Sequence, residues 1–196
     1  MSKFNQKLNT THIEWDDFIS LITKLEKDGH YKFCLLISVG VYTGLRISDL
    51  LNLTYSDLLS YDTFTFIETK SKRKKSVKIN KDLKDIVNRI FLKSNITDLN
   101  QFIFINKYGT KPIDKSYVNV KLKELFSKYE IKVDGDISTH TLRKTFGIRI
   151  MEVNNYSNES LSLLRELFGH YNTGVTKKYL GIEEQEIKNV YDSLIF

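Results

Sequence analysis

The sequence predicts an α+β domain, mainly helical, with a small antiparallel sheet in its first half. Three observations predict it. Apolar residues recur at helical spacing through most of the chain, as in Trp15, Phe18, Ile19, Ile22 and Leu25. The stretch Tyr61–Thr69 instead alternates and is rich in Thr, Phe and Ile, which is strand texture. One proline, nine glycines and no internal repeat or Gly/Ser/Pro linker in 196 residues argue against long irregular segments.

Taken in order, residues 1–10 are polar and predicted to be a flexible N-terminus. Thr10-Thr11 offers an N-cap for a first helix that Gly29 ends. Tyr31–Tyr42 is apolar nearly all round, so it reads as a central buried helix, stopped by Thr43-Gly44. A short helix follows from about Ile47 to Leu51. Tyr61–Thr69 and Ser76–Ile79 form a hairpin around a cationic turn, and Phe102–Ile105 is the candidate third strand of a three-stranded sheet. Further helices are predicted at Asp82–Lys93, Lys115–Tyr129, Thr141–Val153, Ser160–Phe168 and Glu183–Leu194. The domain proper spans 11–180, and 181–196 is a C-terminal helix that packs on its own domain or docks on another subunit.

Composition narrows the function classes. With 41% hydrophobic and 28% charged residues, the chain can bury one sizeable core. No run approaches the roughly 18 apolar residues of a membrane span, and Met1-Ser2-Lys3 does not lead into a signal-peptide core. The single cysteine, Cys34, lies in the apolar run Phe33–Val39; it has no internal disulfide partner and reads as an inert thiol in a reducing cytoplasm. Net charge is +6 and unevenly spread. From Lys70 to Lys81 there are seven cations and no acid, which points to a polyanion. The tail opens with Glu183, Glu184 and Glu186, which points to a protein partner.

Four motifs carry chemistry, and each also has an ordinary reading. In Thr43-Gly44-Leu45-Arg46-Ile47-Ser48-Asp49-Leu50, Arg46 leaves the core after a helix-ending Gly, and Asp49 three residues on can hold its guanidinium; the ordinary reading is a surface ion pair. Lys70 opens the basic turn, where Lys72, Arg73, Lys74, Lys75 and Lys78 suit DNA backbone contact; the ordinary reading is a solvated loop that blunts a sheet edge. In Thr139-His140-Thr141-Leu142-Arg143, Ser138 or Thr139 caps a helix whose first turn carries His140 and Arg143 on one face, a place that favours anions; the ordinary reading is a helix-capping His and a solvent Arg. In Gly169-His170, the histidine closes a helix, and Tyr179 follows nine residues later, with Gly174 and polar residues between them as a mobile tether; the ordinary reading is a His complementing the helix dipole and a half-buried tyrosine.

Together these residues form a set able to cleave a phosphodiester without a metal or other cofactor. Arginines stabilise charge on the non-bridging oxygens, a lysine can protonate the leaving oxygen, and a phenol with an ordinary pKa of about 10 needs a base or a cationic site to attack. No Cys/His cluster of metal-ligand spacing is present in the sequence.

At this point the chain resembles the tyrosine recombinase (phage integrase) catalytic domain. The resemblance runs from about Thr11 to Leu194 and rests on the Arg46 motif, Lys70, His140-Thr-Leu-Arg143, Gly169-His170 and Tyr179. It implies the DNA breaking–rejoining fold. It also implies that Arg46, Arg143 and His170 activate the scissile phosphate, that Lys70 is general acid, and that His140 assists proton transfer with Asp49 in support. Tyr179 would be the nucleophile, forming a 3′-phosphotyrosyl link without ATP. Implied partners are double-stranded DNA, further recombinase subunits in a tetrameric synapse, and a separate DNA-clamping domain, with no membrane; the implied setting is a bacterial cytoplasm, at the nucleoid. Many relatives have Val-Pro-Leu where this chain has Val77-Lys78-Ile79. The alternative functions are a non-catalytic DNA-binding short form and a type IB topoisomerase.

Overall fold

The computed structural model of the chain describes residues 11–94, 96–183 and 190–194. They divide into two compact units, one ending at Thr145 and the other beginning at Phe146.

The first unit is built round two helices. Helix α1 (Trp15–Lys27) is amphipathic and buries Phe18, Leu21, Ile22 and Leu25. Helix α2 (Tyr31–Thr43) buries every residue from Cys34 to Val41, as its uniformly apolar sequence requires. It ends at Gly44, whose φ of 61° is the left-handed conformation that glycine adopts without penalty. Then come α3 (Ile47–Leu50) and α4 (Tyr55–Leu59). Helix α4 was not predicted; its signal is the Thr54/Asp57 capping box, in which each side chain satisfies the other residue's backbone N–H.

The hairpin is shorter than its sequence pattern. Strands β1 (Thr63–Ile67) and β2 (Lys74–Lys78) pair antiparallel, from Thr63 opposite Lys78 to Ile67 opposite Lys74. Lys74, Lys75 and Lys78 therefore lie on β2 and not in the turn. The predicted third strand is a correction: among the described residues the sheet has two strands. Phe102–Ile105 spends its backbone groups on loops, with the Ile103 N–H donating to the Leu53 carbonyl and the Phe104 carbonyl accepting from Ile113. Only isolated bridges result, Thr54 with Phe102 and Ile105 with Pro112.

Helices α5 (Lys81–Lys93), α6 (Lys115–Lys128) and α7 (Thr139–Val153) follow, the first two capped by Asn80 and Asp114. The boundary between the units falls within α7. Its first turn packs closely on α2: a Cβ at Gly40 would lie 2.8 Å from Leu142 Cδ1. Glycine at position 40 is thus what lets α7 approach.

In the second unit, α8 (Asn158–Phe168) is capped by Ser157 and closed by Gly169 at φ 65°. Helix α9 (Thr173–Leu180) is capped by Asn172. A small core of Ile148, Met151, Leu161, Leu164, Phe168, Leu180 and Ile182 holds this unit. The expected loose tether between His170 and Tyr179 is also corrected, since most of it is α9. An Asn at the N-cap and a C-terminal Gly181 in the left-handed conformation outweigh Gly174 inside the segment. The predicted flexible stretch 1–10 lies outside the described residues. So does half of the predicted 181–196 tail, including Glu184, Glu186, Ile187 and Ile195; residues 182–183 and 190–192 are helical. No helix among the described residues is long and apolar enough to cross a membrane.

Candidate active site

In the first unit, the end of α2 and the start of α7 bring Arg46, His140 and Arg143 together. Arg143 is buried, 6% exposed, and its Nη1 donates to the Gly44 carbonyl at 2.7 Å, two residues before Arg46. Ser138 organises the α7 start: its Oγ accepts from the His140 N–H at 3.2 Å and its carbonyl accepts from Thr141. His140 is solvent-exposed yet crowded by cations. Desolvation first, then the charges of Lys115, Arg143, Lys144 and Arg46, hold its pKa below the usual histidine value. His140 thus lies within electrostatic range of both arginines, which the Arg143–Gly44 hydrogen bond holds near each other.

Asp49 does not take the role its spacing predicted. Its Oδ1 accepts from the Thr69 N–H at 2.8 Å, which ties α3 to the hairpin, and Arg46 Nη1 instead donates to Glu68. An Asp three residues after an Arg shares its helical face only inside a helix, and Arg46 is the extended residue before α3, with ψ 145°. Glu68 is 2% exposed and also receives Lys75 Nζ at 3.0 Å and the Ser71 hydroxyl. Burial pushes its pKa up, but Ser71, Lys75 and Arg46 outweigh that and leave it below the usual carboxylate range.

Sequence reasoning missed Glu68, although a signal existed. Phe64 and Phe66 are the inward residues of β1, and Glu68 continues their parity. An acid at an inward position needs cationic partners. Of the hairpin cations, Lys75 is drawn to the Glu68 carboxylate, which it shares with Arg46. Lys70 and Lys72 are exposed in the turn, Lys72 at φ 56°, with Arg73 beside them and Lys74 and Lys78 exposed on β2. A second cationic surface was also missed because its lysines are far apart in sequence. A cleft of about 640 Å³ is lined by Lys32, Lys107, Lys111 and Lys115, with Asp114 and Tyr117. Among the described residues, no group of three or more His, Cys, Asp or Glu side chains comes together as a metal site.

In the second unit, His170 and Tyr179 meet directly. His170 follows Gly169, and its Nδ1 lies 3.0 Å from Thr176 Oγ1 on α9. The Tyr179 ring stands edge-on to His170 at 5.3 Å between centroids and to Phe168 at 5.5 Å. Gly147 makes room for this packing, because a Cβ there would come within 2.6 Å of Leu180 and 3.1 Å of Phe168. The nine-residue spacing from His170 to Tyr179 is therefore a short turn and about two turns of capped helix, folded back on the histidine.

A family profile described as "Phage integrase family" matches residues 11–186. The chain belongs to the phage integrase family. The probable integrase/recombinase YoeC of Bacillus subtilis is 28% identical over 156 residues, covering 80% of this chain and 81% of that protein. A tyrosine recombinase of Thermosipho africanus is 32% identical over 171 residues, covering 87% of this chain and 57% of the relative. Among solved structures, XerA recombinase superposes with a TM-score of 0.70 at 20% identity, covering 94% of this chain and 65% of that one. XerH site-specific recombinase, in a post-cleavage complex with palindromic difH substrate, gives 0.67 at 16% identity, over 97% of this chain and 55% of that one. The fold is that of tyrosine recombinase catalytic domains, and the chain spans 55–65% of the length of three of these relatives.

Proposed function

We propose that this chain is a site-specific DNA recombinase of the integrase type, cleaving and rejoining DNA through a 3′-phosphotyrosyl intermediate. The observation that carries the proposal is the convergence of Arg46, His140 and Arg143, with Arg143 fixed to the Gly44 carbonyl. A buried, oriented arginine beside a second arginine fits an anion whose charge grows in the transition state. The family membership and the DNA complexes of XerH support the same reading.

In the proposed step, Tyr179 Oη attacks the scissile phosphorus while Arg46, Arg143 and His170 bind the non-bridging oxygens. A P–O bond to tyrosine forms and the P–O5′ bond breaks. The phenolic proton passes to His140, whose depressed pKa keeps it neutral and able to accept. Lys70 gives its proton to the leaving 5′-oxygen. Attack by a partner strand's 5′-hydroxyl reverses each transfer and conserves the bond energy, so the step needs no ATP. Asp49 supports the site by fixing Thr69, next to Lys70. Lys72, Arg73, Lys74 and Lys78, exposed on the hairpin, bind the backbone of the duplex while Lys75 is held by Glu68, and the lysine-lined cleft adds a second cationic surface. Double-stranded DNA and further copies of the recombinase are the partners, acting at the bacterial nucleoid; one solved relative is a lambda integrase dimer bound to a core site.

Covalent capture tests this. Wild-type protein on nicked duplexes containing its site gives an SDS-resistant adduct, and Tyr179→Phe gives none while still binding DNA. An adduct that survives Tyr179→Phe overturns the assignment of the nucleophile.

A further inference from the structure

The carboxylate of Glu68 has no part in the mechanism above, yet it meets Arg46 and belongs to the residue two positions before Lys70, both of which do. It is 2% exposed, a costly place for a charge unless it is well partnered. Its Oε1 accepts from Arg46 Nη1 and from Lys75 Nζ, and its Oε2 accepts from the Ser71 hydroxyl. Its backbone closes the basic turn, with its N–H donating to the Arg73 carbonyl and its carbonyl accepting from Lys72, both at 2.9 Å. Thr69, the next residue, is pinned by Asp49 at 2.8 Å. Lys70 is therefore flanked by anchors on both sides: Glu68 and Thr69 before it, Ser71 after it.

We propose that Glu68 is a positioning residue that ties the phosphate-binding Arg46 to the turn presenting Lys70, so that guanidinium and proton donor are held in one frame. This rests on the recombinase reading above. A turn of exposed lysines has no packing of its own to fix one ammonium within reach of a leaving oxygen. The carboxylate supplies that constraint through Ser71 on the turn, Lys75 at the start of β2, and Arg46. It acts through Lys70 and does not itself touch DNA.

The experiment separates a lost proton donor from a lost phosphate contact. Cognate duplexes are first obtained by covalent selection of random-sequence nicked duplexes with the wild-type chain. Each is then made with oxygen or with sulfur at the 5′-bridging position; a thiolate leaves without needing a proton, because thiols are far more acidic than alcohols. Glu68→Gln is expected to form adduct about 10–100-fold more slowly on the oxygen substrate and close to the wild-type rate on the sulfur substrate, the pattern also expected of Lys70→Ala. Arg46→Ala is expected to be slow on both. Glu68→Asp, which keeps the charge but shortens the reach, decides the matter if the Gln variant does not fold, with the same pattern expected. Wild-type rates on oxygen, or equal slowing on oxygen and sulfur, overturn the proposal. If the selection with wild-type protein yields no adduct at all, the recombinase reading fails, and this inference falls with it.

Discussion

His140 shows how much a residue's chemistry depends on its neighbours. Alone in the sequence it is a helix-capping histidine; in the fold, desolvation first and then Lys115, Arg143, Lys144 and Arg46 make it resist protonation. Its folded pKa lies below the unfolded value of about 6.5. The folded state therefore binds fewer protons, and the stability linked to His140 is full above that pH and lost as pH falls through the folded pKa. An NMR titration of the ring should give a midpoint below 6.5, and His140→Gln should flatten the decline of stability between about pH 7 and 5. A midpoint at or above the ordinary value would place the ring away from the cationic cluster. Cys34 is the contrasting case, since burial pushes its thiol up to about 12, in keeping with the inert role its apolar run predicts.

At the scale of elements, the hairpin and α9 differ most from their sequence patterns. The basic run is divided between a turn and a strand, so its cations do different things: Lys75 folds back to Glu68, while Lys72, Arg73 and Lys74 face solvent. Only the outward set can neutralise phosphates cheaply. Each phosphate contact contributes about 0.9 to the slope of log K against log salt. Replacing Lys72, Arg73 and Lys74 with alanine should make the salt dependence of duplex binding shallower by about 2 to 3. Fluorescence anisotropy across a salt series measures it, and an unchanged slope would remove the turn from the DNA interface. Helix α9 carries the other lesson. Gly174 reads as a source of flexibility, but a helix capped at both ends tolerates one exposed glycine at a cost of about 1 kcal/mol.

At the scale of the molecule, buried or partly buried carboxylates hold distant segments together. Glu26 on α1 accepts from Arg89 at 3.0 Å and from Lys93 at 2.7 Å on α5, and Glu68 joins the hairpin to Arg46. The Arg89 and Lys93 contacts outweigh desolvation at Glu26, as the cations and Ser71 do at Glu68, so both titrate below the ordinary value. Lowered folded values mean stability that is present above about pH 4.3 and lost as pH falls through the folded pKa values. Thermal melts should therefore show an acid decline below about pH 4, which Glu26→Gln reduces. A decline of the same size in that variant would assign the acid sensitivity elsewhere.

The sequence by itself determined the helical class and the family, and it nominated the two arginines and histidines and the tyrosine nine residues after His170. Those features are local: periodicity, glycine punctuation, caps and short motifs are written in neighbouring residues. It also determined that the first half contains a hairpin, though not how long the strands are. Tertiary structure alone decided which carboxylate holds Arg46. Spacing nominated Asp49, but a backbone that is extended at Arg46 turns the guanidinium towards the hairpin, where strand parity has brought Glu68 inside. It likewise decided that Phe102–Ile105 is not a third strand, because Leu53 and Ile113 were available to its backbone groups. Such choices depend on what lies across space from a residue, and no local pattern encodes that.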